Sequence, residues 1–167
     1  AIAKAFAEEG AEVTVVTGPV AISLDYPGIE VRHVASAAQM YEETAGLIDK
    51  TDVAVFAAAV ADFTPAKPRD RKMKKGSEAL SIELKPTVDI AAEMGKGKKT
   101  GQFFVGFALE SDNGLEHASQ KLKAKNLDLI LLNYTGEDGA GFETDTNRVT
   151  LIDRRLKVVE LELKPKK

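Results

Sequence analysis

The chain has 167 residues, 44% of them hydrophobic and 29% charged, with a formal net charge of −3. That is enough for one domain with a real core, and too apolar for a disordered chain. The charge balance lacks the basic footprint of a duplex nucleic-acid binder, and no apolar run nears the ~20 residues of a membrane helix.

Cysteine is absent, so neither a disulfide framework nor a thiolate metal site can form, and a reducing cytoplasm is the expected setting. The sequence opens inside a helical pattern and stops just after a strand. It is read as a single domain, 1–167, truncated at both ends.

In chain order, residues 1–9 carry Ile2, Ala5, Phe6 and Glu9 at helical spacing, and Gly10 suits the position that ends a helix. Residues 12–17 are short and β-branched, a buried strand closed by Gly18-Pro19. Another strand is predicted over 30–34. Ser36 is a candidate N-cap for the helix that presents Met40, Tyr41, Thr44, Leu47 and Ile48. Residues 52–59 form a continuous apolar run of the kind that parallel sheets bury.

From Asp62 to Gly76 two prolines and a dense Lys/Arg run predict a loop. The alternation over 80–85 predicts a half-exposed strand. A helix is expected over 88–94, a buried strand over 103–109, a helix over 113–125 and a strand over 128–133. A glycine-rich loop covers 136–142. A terminal hairpin of 149–152 with 158–163 turns at Asp153-Arg154-Arg155. Strands alternate with helices four times, which predicts a doubly wound α/β fold: a mostly parallel, Rossmann-like sheet, helices on both faces, and a C-terminal β-hairpin. Ligands on such sheets bind beyond the carboxyl ends of the strands.

Candidate residues cluster at those ends. Ala57, Ala58 and Ala59 would let a ligand approach the backbone, and Asp62 could bond a ribose or base edge; Arg69, Arg71, Lys72, Lys74 and Lys75 follow on a proline-bearing loop. Several cations on one arm suit a polyphosphate, although a solvated basic loop has the same composition. Val88, Asp89, Ile90 and Ala91 open a helix whose free N–H groups suit an anion, and the plain alternative is Thr87 as the cap with Asp89 improving the first turn. Phe107 lies in Val105-Gly106-Phe107-Ala108-Leu109-Glu110, where base contact and core packing are both open. Lys121 and Lys125 sit four apart on one helix face. Asn133 ends a strand and needs partners if buried. Glu137, Asp138 and Asp145 are read as a solvated turn more readily than as Mg²⁺ ligands, and no residue is assigned to a metal. His33 and His117 are the only histidines, with no carboxylate or cysteine pattern nearby.

The ordered set of Ala58-Ala59-Val60-Ala61-Asp62-Phe63, Lys72-Met73-Lys74-Lys75, Asp89-Ile90, V-G-F-A-x-E from Val105, K-x-x-x-K-N-x-D from Lys121 and G-F-x-x-D-x-N from Gly141 resembles the phosphopantothenoylcysteine synthetase family over nearly the whole chain. The resemblance implies a ligase of coenzyme A biosynthesis. The carboxylate of 4′-phosphopantothenate attacks the α-phosphate of CTP, releasing pyrophosphate, and the amine of L-cysteine then displaces CMP from the acyl-cytidylate.

It further implies that Ala57–Ala59, Asp62, Val88–Ala91, Phe107, Lys121 and Lys125 contact the nucleotide, and that Lys72 is the catalytic cation with Lys74 and Lys75 supporting it. Mg²⁺, a homodimer and an upstream flavin-dependent decarboxylase are implied as well, with neither nucleic acid nor membrane as a partner. Family members carry R-x-x-S-N and S-S-G in a loop just before the helix that opens this sequence. Without that loop, nucleotide binding with little ligation is expected. Two other readings stay open: a binding or dimerisation module without chemistry, and a dinucleotide-dependent oxidoreductase domain.

Overall fold

A computed structural model describes residues 1–20, 24–67, 80–134 and 146–165. In chain order its elements are α1 (Ile2–Glu8), β1 (Val13–Thr17), β2 (Ile29–His33), α2 (Ala37–Ile48), β3 (Val53–Phe56), β4 (Phe63–Pro65), β5 (Leu84–Pro86), α3 (Ile90–Lys96), β6 (Phe103–Glu110), α4 (Gly114–Ala124), β7 (Leu129–Tyr134), β8 (Thr146–Asn147), β9 (Thr150–Asp153), β10 (Val158–Glu160) and β11 (Lys164–Pro165). No helix among the described residues is long and apolar enough to cross a membrane.

The central sheet has the order β10-β9-β7-β6-β3. β3, β6 and β7 run parallel, with Phe56 beside Gly106 and Gly106 beside Ile130. β9 joins β7 antiparallel, and β10 closes the predicted hairpin against it. β1 and β2 form a separate parallel pair, against which α1 packs. The class is mixed α/β with a mostly parallel central sheet, as the alternation of elements predicts.

Register explains where the core sits. Side chains alternate across a sheet, so Phe104, Ala108, Ile130, Leu132 and Ile152 share one face, and all are buried. Ile90 and Met94 of α3 and Ala118 and Leu122 of α4 pack there, joined by Met40, Tyr41 and Ile48 of α2. Phe56 meets the Phe104 ring edge-on at 5.6 Å. The other face carries Phe107, Leu129 and Leu131, only partly buried.

Local signals set several boundaries. Gly10 takes φ +87° after α1, a value that suits glycine. Ser36 caps α2 by accepting from the Gln39 N–H at 3.2 Å, and the Gln39 side chain accepts from the Ala35 N–H at 2.8 Å. This reciprocal pair satisfies two amide donors at the helix start.

Three expectations shift. The strand predicted over 52–59 ends at Phe56, because its ladder with β6 runs only from Val53 to Phe56. The strand predicted over 80–85 pairs only through Leu84–Pro86, antiparallel to Phe63–Pro65. The helix predicted from residue 88 begins at Ile90, with Asp89 rather than Thr87 as its cap: Asp89 Oδ1 accepts from the Ala92 N–H at 3.1 Å.

Candidate functional site

Because β3, β6 and β7 are parallel, their carboxyl ends share one rim of the sheet, where open α/β sheets place their ligands. Ala57, Ala58 and Ala59 leave β3 at this rim and are exposed. Glu110 closes β6 and lies beside Tyr134 at the end of β7. The Thr87 N–H donates to the Asp62 carbonyl at 2.8 Å. That bond ties the segment after β3 to the turn before α3.

α4 leaves the rim after β6 and runs back along β6 and β7. It ends where Asn126 turns left-handed, at φ 51°, and the Asn126 side-chain amide donates to the Gly95 carbonyl at 2.9 Å. Only glycine fits at position 95, since a Cβ there would lie 2.1 Å from the Lys125 carbonyl oxygen. α3 and the end of α4 are thereby held backbone to backbone. Lys125 is placed so that its Nζ reaches Asp89 Oδ2 at 2.9 Å.

One turn earlier, Lys121 Nζ lies 2.5 Å from Glu110 Oε1, and His117 Nδ1 lies 3.1 Å from Glu110 Oε2. Glu110, His117, Gln120, Lys121, Ala124 and Lys125 line an open pocket of about 310 Å³.

Two carboxyls in this group are perturbed. The Lys121 hydrogen bond holds Glu110 below its ordinary value; burial opposes this, and His117 adds to it. For Asp89 burial is the largest influence and would raise the value, but the Lys125 ion pair and the Ala92 amide together bring it below normal. Both groups are ionised at neutral pH, so each lysine of the pocket is matched with a carboxylate from another element. The Thr87 hydroxyl, beside the Asp62 tie, is buried without a hydrogen-bond partner.

Of the sequence candidates, Lys121 and Lys125 come together on one pocket, with Asp89 at its edge. Val88 is exposed beside Asp89, Ala91 is half-buried, and Ile90 is spent on the core. Phe107 alternates to the opposite sheet face from Glu110 and does not line the pocket. Asp62 is tied through its backbone carbonyl to Thr87, two residues before Asp89, and does not line the pocket. Lys72, Lys74, Lys75, Arg69 and Arg71 lie outside the described residues, as do Glu137, Asp138 and Asp145.

Sequence reasoning passed over the other two ionisable residues of the pocket. Glu110 was visible only as the last letter of its strand motif. His117 lies seven positions from Glu110, across a strand-to-helix turn, so no short spacing pattern paired them. Among the described residues no group of three or more His, Asp and Glu gathers to hold a metal ion.

A mostly parallel sheet with a pocket beside the carboxyl end of β6, lined by paired cationic and acidic side chains, defines a mixed α/β protein with a candidate site where such sheets place their ligands. More particularly, the chain belongs to the DNA/pantothenate metabolism flavoprotein C-terminal domain family, whose model matches residues 1–167. This is the family that contains the synthetase domain its motifs resemble.

The chain is 48% identical over 153 residues to the coenzyme A biosynthesis bifunctional protein CoaBC of Bacillus subtilis (strain 168), covering 90% of this chain and 37% of that protein. It is 51% identical over 166 residues to a protein from an unknown prokaryotic organism named cysteine/cysteine sulfinic acid decarboxylase, covering 99% of this chain and 46% of that one. The crystal structure of the C-terminal domain of a CoaBC superposes with a TM-score of 0.80 at 35% identity, covering 99% of this chain and 74% of that domain. The chain thus spans less than half the length of these two curated relatives.

Proposed function

We propose that the chain is the synthetase part of a phosphopantothenate–cysteine ligase, joining 4′-phosphopantothenate to L-cysteine through an acyl-nucleotidylate formed from CTP. The observation that carries the reading is the pairing of Lys121 and Lys125 on one pocket at the carboxyl rim of β6, in a chain 48% identical to a bifunctional coenzyme A biosynthesis protein.

The chemistry asks mainly for charge neutralisation and alignment. The substrate carboxylate forms a bond to the α-phosphorus as the bond to pyrophosphate breaks. The cysteine amine then attacks the acyl carbon, losing a proton to solvent as the amide forms, and CMP leaves with the electron pair of the broken carbon–oxygen bond. Lys121 and Lys125 would donate to phosphate oxygens, exchanging part of their pairing with Glu110 and Asp89. The backbone of residues 57–59 and the turn at Val88 and Asp89 would hold sugar and base, and the unpartnered Thr87 hydroxyl stands beside them as an unused polar group. Lys72 is proposed as the catalytic cation, supported by Lys74 and Lys75.

The described carboxylates do not form a cage for Mg²⁺. Such an ion commonly binds through substrate phosphates and keeps several waters, so it would arrive with the triphosphate.

A flavin-dependent decarboxylase elsewhere in a longer protein, a homodimer and a cytoplasmic setting belong to the same proposal. Phe63, Leu84 and Val88, exposed on and beside the β4–β5 ribbon, are the apolar surface that a second copy would cover. Light scattering should then give twice the chain mass, and a monomer at every concentration would remove the dimer.

The function is tested by calorimetry with CTP, ATP and NAD. CTP-selective binding, weakened by Lys72→Ala and by Lys121→Ala, is expected. Binding of NAD in place of CTP would overturn the ligase in favour of an oxidoreductase.

A further inference from the structure

The pocket holds one titratable group that the proposed function leaves unused. His117 lies one helical turn before Lys121, on the same face of α4. Glu110, ionised through its contact with Lys121, can only accept hydrogen bonds. The contact of 3.1 Å between Glu110 Oε2 and His117 Nδ1 therefore requires the proton on Nδ1. That fixes the character of Nε2: an acceptor in the neutral ring and a donor in the imidazolium. A phosphate oxygen is itself an acceptor, so only the protonated ring can hold one.

Charge counting leads the same way. Lys121 is balanced by Glu110 and Lys125 by Asp89. With a neutral His117 the described side of the pocket carries no net formal charge, a poor match for a polyphosphate. One added proton makes it cationic, and the same proton supplies the missing donor.

We propose that His117 is a further anion ligand of this pocket, donating from Nε2 to the phosphate oxygens of the ligand only when protonated, and that Glu110 is the positioning residue that holds His117 and Lys121 side by side. The proposal rests on the triphosphate reading of the pocket.

Among the described residues, the charged groups near His117 come from three elements. Glu110 faces it from β6, and Lys121 lies beside it on α4, with Lys125 and its partner Asp89 a further turn away. From β7 the titratable neighbour is Tyr134, whose ring packs against Gly114 at the start of α4.

The test is calorimetric titration of the full chain with CTP across the range in which an imidazole changes charge, about pH 5 to about pH 8. Wild type is compared with His117→Asn, Glu110→Gln and Lys121→Ala. Titration of the triphosphate itself is common to all four proteins and cancels between them. Wild-type affinity should weaken with rising pH by about two- to five-fold more than that of His117→Asn, the scale of one partly exposed ion pair. Repeating the titration in buffers of different ionisation enthalpy should show proton uptake on binding in wild type and less of it in His117→Asn.

Glu110→Gln loosens the hold on both His117 and Lys121, so part of the pH dependence of binding seen in wild type should be lost. A merely structural Glu110 would instead weaken binding equally at every pH. Equal pH slopes and equal proton uptake in wild type and His117→Asn overturn the role of His117 while leaving the triphosphate reading in place. If wild type fails to bind CTP, or Lys121→Ala leaves binding unchanged, the triphosphate reading falls and this inference falls with it.

Discussion

Two ion-pair networks lie at opposite ends of the parallel strands, and burial separates their roles. At the amino end, Asp128 accepts from Lys98 Nζ and from the Phe104 N–H at 2.7 Å, and lies 3.3 Å from Arg154 Nη1. The Lys98 and Asp128 side chains are only 7% and 6% exposed. At the carboxyl end, the side chains of Lys121, His117 and Lys125 are 45%, 49% and 29% exposed. A buried charge that loses its partner stays stranded in a poor solvent, whereas an exposed one is rehydrated at little cost. The first network therefore pins β6 to β7, and the second is free to exchange its partners for a ligand. The K-x-x-x-K-N-x-D motif spans both: its lysines serve the pocket, and its Asn126 and Asp128 fix the backbone that carries them.

The largest expected effect is at the pinned end. Asp128→Ala strands Lys98 and should cost about 3–5 kcal/mol in urea unfolding; a loss under about 1 kcal/mol, the exposed-pair scale, would erase the contrast. Gly95→Ala comes next. Its Cβ would press on the Lys125 carbonyl, so α3 and α4 must separate at a cost of about 1–3 kcal/mol, and CTP binding should weaken as Lys125 moves.

Asp89→Ala removes the α3 cap and should cost about 1 kcal/mol, which chemical denaturation can resolve. Lys121→Ala should leave stability within about 0.5 kcal/mol, the usual range of surface changes.

The smallest effect is on pH dependence. Glu110 and Asp89 both have lowered values in the folded chain. Their contribution to stability is thus present above the ordinary carboxylate range and is lost as pH falls through their folded values. The Glu110→Gln protein should show a shallower loss of stability on acidification, read as the urea midpoint against pH.

The element order and the carboxyl rim were legible because period-two and helical patterns are local. The limits of elements were not, since they depend on partners distant in sequence. Ala57, Ala58 and Ala59 continue the texture of β3, but the ladder with β6 has already ended. The alternation of Leu80, Ile82 and Leu84 shows a face without showing what covers it, and all three are exposed. Thr87 and Asp89 are both cap-forming types two residues apart; only the backbone direction chooses between them.

The lysine pair on α4 followed from its spacing of four. Glu110 and His117 did not emerge, because their contact forms only when the turn after β6 folds α4 back along the strand.

The most direct test of the division between the two ends is CTP affinity measured by calorimetry on Lys121→Ala, alongside its urea unfolding curve. Binding weakened by about tenfold, the scale of one charge-assisted hydrogen bond to phosphate, with an unchanged unfolding midpoint, is the expected result. Wild-type affinity in that variant, or a loss of binding matched by a loss of stability, would contradict it.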